Sequence, residues 1–90
     1  MTPEAFHAQL NAENYKRTLK FNAMGHDEIA ERINAAFPDD EAARIRCWEL
    51  SHGYTEPQGM SEAHLVAMSK DLFGMIDEVI AEERAEKAAQ

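Results

Sequence analysis

The fold of this chain is decided by two short stretches, Asp27-Glu28-Ile29-Ala30-Glu31-Arg32-Ile33 and Ile45-Arg46-Cys47-Trp48-Glu49-Leu50. In the first stretch, Ile29 and Ile33 are four residues apart. In the second, Trp48 follows Ile45 at a distance of three. Each spacing places two large apolar side chains on one face of a helix, so the two stretches predict two consecutive amphipathic helices.

The chain before these stretches also has a helical pattern. Its predicted helix has Thr2 as N-cap and Pro3 at the first helical position. We expect a break near residues 11–14, which would divide it into two short helices, and an end between residues 22 and 25, with Gly25 as a left-handed cap. Its expected apolar face consists of Phe6, Leu10, Tyr15 and Leu19.

The two central helices are predicted over residues 27–36 and 39–51. Pro38 separates them, because proline disfavours helical geometry in the residue before it. Gly53 is the expected stop of the third helix. That helix is expected to bury Ala42, Ile45 and Trp48.

The fourth helix is the longest and begins after Ser61, a good N-cap. Beyond Ile80 no large apolar residue remains, so we expect this end to fray into a polar tail from about residue 82. The predicted fold is therefore all-α, a single domain over residues 1–90 built as a small four- to five-helix bundle with a helix-turn-helix-like core. The apolar face of the fourth helix carries Leu65, Leu72, Ile76, Val79 and Ile80.

Composition limits the location of the protein. Nine Lys and Arg residues against seventeen Asp and Glu residues give a formal net charge of −8. No apolar run approaches the roughly 18 residues of a membrane helix, so no membrane contact is expected. Cys47 is the single cysteine, which excludes an internal disulfide and favours a cytoplasmic protein.

Residues that could carry catalysis do not fall into a known pattern. The four histidines share no metal-ligand spacing, and Cys47 has no second cysteine at zinc-finger distance. Ser51 and His52 are sequence neighbours without a third triad member, and no Gly-rich phosphate loop is present. We therefore expect neither an enzyme, nor a metal site, nor a cofactor.

Residues 27–72 resemble the lambda-repressor/Cro-like family of helix-turn-helix regulators. The stretch Glu28-Ile29-Ala30-Glu31-Arg32-Ile33 matches the first helix of the motif, and Ile45-Arg46-Cys47-Trp48-Glu49 matches the end of its recognition helix. Pro57 matches the loop, and residues 65–72 match the following helix. The resemblance implies a DNA-binding transcriptional regulator that reads duplex DNA, as a homodimer on two half-sites.

The resemblance also implies which residues contact DNA. Arg44 and Arg46 would reach from the third helix, although they lie about 200° apart, with Arg44 nearer the core edge and Arg46 more outward. Phosphates would be met by the end of the first helix, through Lys16, Arg17 and Lys20.

The acidity supports a second interpretation. Asp39, Asp40 and Glu41 stand where a recognition helix would begin, and phosphates would repel them. A small acidic helical protein can instead imitate nucleic acid and bind a basic, nucleic-acid-binding protein through these carboxylates and those of the last helix. Phage inhibitors of bacterial defence, including anti-CRISPR proteins, share this size and charge. A third interpretation is a dimerisation or adaptor module that uses Met68, Phe73 and Met75.

Overall fold

The computed structural model describes residues 1–20 and 22–89. Four α-helices follow one another, and the described part of the chain contains no strand. The predicted all-α fold class is therefore confirmed. The helices are α1 (Pro3–Thr18), α2 (His26–Ala36), α3 (Glu41–Ser51) and α4 (Glu62–Ala89).

Helix α1 is continuous through residues 11–14, so the predicted break is wrong. Asn14 does not interrupt the helix, because its side-chain oxygen accepts a hydrogen bond at 2.8 Å from the backbone N–H of Met24, outside the helix. The helix ends earlier than expected, at Thr18. Gly25 is the N-cap of α2 at φ −81°, so the prediction of a left-handed cap there is also wrong.

Helix α3 is the central helix and packs against both α1 and α4. Its N-cap is Asp40, whose Oδ1 accepts a hydrogen bond from the N–H of Ala43 at 3.0 Å. Gly53 follows the helix at φ +85°, as expected for a glycine stop. At the start of α3, Ala43 is buried and Ala42 is exposed. The first turn of the helix therefore buries the residue after the predicted one.

The core lies around α3. Trp48 is 1% exposed, and the imidazole of His26 stacks on its indole with ring centroids 5.7 Å apart. Phe37, in the connection between α2 and α3, meets Phe6 of α1 edge to face at 5.6 Å. The buried apolar residues are Phe6, Leu10, Met24, Ile29, Ile33, Phe37, Ala43, Cys47, Trp48 and Leu65.

Helix α4 extends beyond the core. Its 28 residues span about 42 Å at 1.5 Å per residue, and the molecule measures 47 × 23 × 22 Å. Leu65 and Ser69 are fully buried, whereas Leu72 and Val79 are exposed. The helix continues to Ala89, through the predicted polar tail from about residue 82, and the fraying of this end stays a prediction. None of the described helices is long and apolar enough to cross a membrane.

We expect Ile33→Ala to lower the free energy of unfolding by about 2–5 kcal/mol, because the substitution leaves a cavity in the fully buried centre of α2. Leu19→Ala is the matched control: this side chain is 67% exposed, and its truncation should change stability by less than about 0.5 kcal/mol. Urea unfolding followed by circular dichroism measures both. Equal effects would contradict this assignment of the core.

Candidate protein-interaction surface

Arg17 is held in an ionic network between α1 and α2. Its Nη1 donates to Glu28 Oε2 at 2.6 Å, and its Nη2 donates to Glu13 Oε1 at 3.0 Å. Arg32 of α2 reaches the same Glu13 at 2.7 Å. The two arginines and two glutamates thus neutralise one another, and Arg17 is not presented as a free cation.

Arg44 is held where α3 begins. Its Nη1 donates to the carbonyl oxygens of Phe37 at 2.8 Å and Pro38 at 3.0 Å, and its Nε donates to Glu62 Oε1 at 3.2 Å. The guanidinium therefore joins the α2–α3 connection to the start of α4. Its place at the edge of the core agrees with the sequence-based expectation.

Arg46 is also held by the protein, and its expected outward orientation is wrong. Its Nη2 donates to the carbonyl oxygen of Thr55 at 2.6 Å, and its Nε donates to Glu4 Oε1 at 3.2 Å. Only 16% of its side chain is exposed. The guanidinium fastens the loop after α3 and the start of α1 to the central helix.

Glu49 is a buried carboxylate that the sequence analysis did not single out. It is 2% exposed, and its Oε2 accepts a hydrogen bond at 2.6 Å from the backbone N–H of Gln58. Its Oε1 lies 4.0 Å from Arg46 Nη1. The sequence did contain a signal for this role, a glutamate followed by a loop with proline and glycine. Such a loop contains backbone N–H groups that need a hydrogen-bond acceptor.

The outer face of α3 is small. Within this helix only Glu41 and Ala42 are exposed, and every other residue is buried or half-buried. A recognition helix needs an exposed face that enters the major groove. The five predicted contact cations do not form such a face: Arg17, Arg44 and Arg46 are ion-paired, while Lys16 and Lys20 are exposed on or just after α1.

Carboxylates dominate the remaining surface. Four arginines pair with five glutamates, Glu4, Glu13, Glu28, Glu49 and Glu62. The twelve other Asp and Glu residues outnumber the five other Lys and Arg residues, of which Lys87 also interacts within the protein. The predicted acidic contacts Asp39, Asp40 and Glu41 are all exposed. Only Asp40 has a structural task, the cap of α3.

The acidic start of α3 continues onto one side of α4. A shallow depression is lined by Glu41, Glu62 and Lys70 together with the small side chains Ala63 and Ala67. A second shallow depression shares Lys70 and is lined by Gly25, His26, Asp27, Gly74 and Asp77. The two depressions form an open surface with carboxylates at both ends.

The titratable side chains of the second depression are His26, Asp27, Lys70 and Asp77. No cluster of three His, Cys, Asp or Glu side chains among residues 1–20 and 22–89 could hold a metal ion. Burial, with the charge of Glu4, raises the pKa of the Cys47 thiol to about 11, so it stays protonated at neutral pH. Burial also lowers the pKa of His7, which lines a groove between α1 and α4.

No family model, no curated protein and no solved structure matches this chain. The resemblance to lambda-repressor/Cro-like regulators therefore stays a prediction.

We expect Glu49→Ala to lower the free energy of unfolding by about 2 kcal/mol, because it leaves the N–H of Gln58 without its acceptor and removes a buried countercharge from Arg46. Glu56→Ala, in the same loop region but exposed, should change stability by less than about 0.5 kcal/mol. Chemical denaturation compares the two variants. A loss in Glu49→Ala no larger than in Glu56→Ala would contradict this role.

The Glu13 network should make stability depend on pH. Hydrogen bonding from Arg32, with the charges of Arg32 and Arg17, lowers the pKa of Glu13 below its usual 4.5. A lowered pKa in the folded state stabilises the protein above pH 4.5, and this contribution is lost as the pH falls through the lowered value. Thermal unfolding between pH 6 and pH 3 should therefore show a shallower decline for Glu13→Gln than for the wild type. An identical decline would exclude the network as a source of acid sensitivity.

Proposed function

We propose that this protein acts by binding a basic, nucleic-acid-binding protein, with its carboxylates in the place of nucleic-acid phosphates. This is the acidic inhibitor or mimic class described above. The observation that carries the proposal is the pairing of Arg17, Arg32, Arg44 and Arg46 with carboxylates, while Asp39 and Glu41 are exposed.

The pairing matters because it decides which charges a partner meets. A guanidinium that already donates to carboxylates and carbonyl oxygens has fewer N–H groups left for a phosphate, and its paired carboxylates repel one. Arg44 and Arg46 each make such bonds, which also fix α3 in place. The exposed carboxylates at the start of α3 can meet a cationic surface directly.

The acidic surface also suits the proposed partner by its position. Asp39, Asp40 and Glu41 lie at the start of α3, and Glu41 borders the depression along α4 that leads to Asp77 by way of Lys70. Long-range attraction by such a surface raises association rates and weakens with salt.

The test uses immobilised protein and a nuclease-treated host lysate. The wild type should retain nucleic-acid-binding proteins and release them when heparin is added. The triple variant Asp39→Asn, Asp40→Asn, Glu41→Gln should retain at least about tenfold less, because three central charges are removed while Asn preserves the α3 cap.

The matched control removes two charges outside α3 and α4, through Glu31→Gln with Glu56→Gln, both exposed positions, and is compared with Asp39→Asn with Glu41→Gln. The amount of nucleic-acid-binding protein that this control retains should fall by less than about threefold, because the net charge changes equally but the start of α3 is intact. A low-salt shift assay with duplex DNA is run beside it. A DNA shift that Lys16→Ala and Lys20→Ala together abolish would reject the proposal in favour of the DNA-binding regulator.

A further inference from the structure

The second half of α4 has an apolar face that the rest of the molecule covers only in part, at Leu72 and Ile76, which also line the groove against α1. Leu72 is 43% exposed, Met75 65%, Ile76 39% and Val79 53%. At about 100° per residue these four side chains fall within an arc of about 100°, and their spacing is i, i+3, i+4 and i+7. We call this set the α4 stripe.

The α4 stripe is a large exposed apolar surface on a small acidic protein. Solvated apolar side chains are common singly, but a contiguous patch on one helix face indicates an interaction site. The i, i+3, i+4, i+7 spacing is the one by which an amphipathic helix inserts into an apolar groove.

The charges around the stripe identify what covers it. Asp71, Glu78 and Glu82 lie along one edge of the α4 stripe on the helical wheel, and all three are exposed. Residues 61–90 as a whole carry seven acids against three basic residues. An occupant must therefore offer apolar side chains together with positive charge along that edge.

A second copy of the chain offers the apolar side chains, but its acidic residues disfavour the pairing. Beyond Val79, the helix face that carries the α4 stripe continues with Glu83 and Glu86. In a parallel pair, each of these glutamates would face the same glutamate of the second copy. In an antiparallel pair related by a twofold axis, the acidic edge of one helix would face the acidic edge of the other. Both arrangements also bring together two chains of net charge −8.

We infer that the α4 stripe inserts into an apolar groove rimmed by Lys or Arg side chains on the partner protein. This inference rests on the proposed function and adds to it a second type of contact. The acidic surface attracts the basic partner, and the apolar anchors of α4 give the complex a defined position.

The experiment uses three labelled helical peptides of equal length and the full chain. The first peptide combines Leu on one face with Lys on the other, the second replaces its Leu with Gln, and the third replaces its Lys with Glu. Fluorescence anisotropy should show that the Leu/Lys peptide binds at least about tenfold more tightly than the Lys/Gln peptide. The Leu/Glu peptide should not bind.

The variants locate the site. Ile76→Ser with Val79→Ser should weaken binding of the Leu/Lys peptide about tenfold, and Met75→Ser alone should weaken it less. The control pair Tyr15→Ser with Leu19→Ser removes two apolar side chains of the α1 region that are each 67% exposed, more than Ile76 and Val79, and should leave binding unchanged. Circular dichroism checks that each variant keeps its helices.

The outcomes separate this inference from the function on which it rests. Equal binding of the Leu/Lys and Lys/Gln peptides, with no effect of the stripe variants, overturns the inference and leaves the acidic attraction standing. Failure of both cationic peptides to bind overturns the inference and counts against the proposed function. Light scattering tests instead for a dimer of this chain. If Ile76→Ser with Val79→Ser dissociates such a dimer, the inference is overturned, and a second copy of the chain is the occupant of the α4 stripe.

Discussion

The enclosure of α3 between α1 and α4 is the constraint on which the rest of the structure depends. A central helix of eleven residues that carries Arg44, Arg46 and Glu49 cannot be enclosed unless those charged groups find partners inside the protein. Their hydrogen bonds reach α1, α4 and both loops next to α3. The polar side chains of α3 thus form hydrogen bonds to the same elements against which its apolar side chains pack.

This arrangement explains how an acidic protein can contain nine basic residues and still present a mainly negative surface. Four of the five arginines, Arg17, Arg32, Arg44 and Arg46, serve as internal connections, which suits a planar group with five N–H donors. The lysines carry a compact charge on a flexible stem, and all of them are exposed. Lys87 also interacts within the protein. Four of the nine cationic side chains in the sequence are therefore engaged with carboxylates of the protein itself.

The existence and order of the helices could be predicted from the sequence, because the spacing of Ile29 and Ile33 and the caps Thr2 and Ser61 are local signals. Which face each helix buries could not. Apolar spacing identifies a face, but the neighbour that covers it is set by tertiary packing. Leu19 and Val79 therefore stay exposed despite good spacing, and Arg46, expected outside, is held by the loop carbonyl of Thr55.

The stacking of His26 on Trp48 has a practical consequence for spectroscopy. Trp48 is the sole tryptophan, so intrinsic emission reports on one location, the junction where the start of α2 meets α3. The distal end of α4 lies far from this junction along the 47 Å axis. Emission from this indole therefore monitors the integrity of the globular part and is blind to events at the helix tip. A dye for that region must be attached elsewhere, since the native thiol of Cys47 is buried in the core.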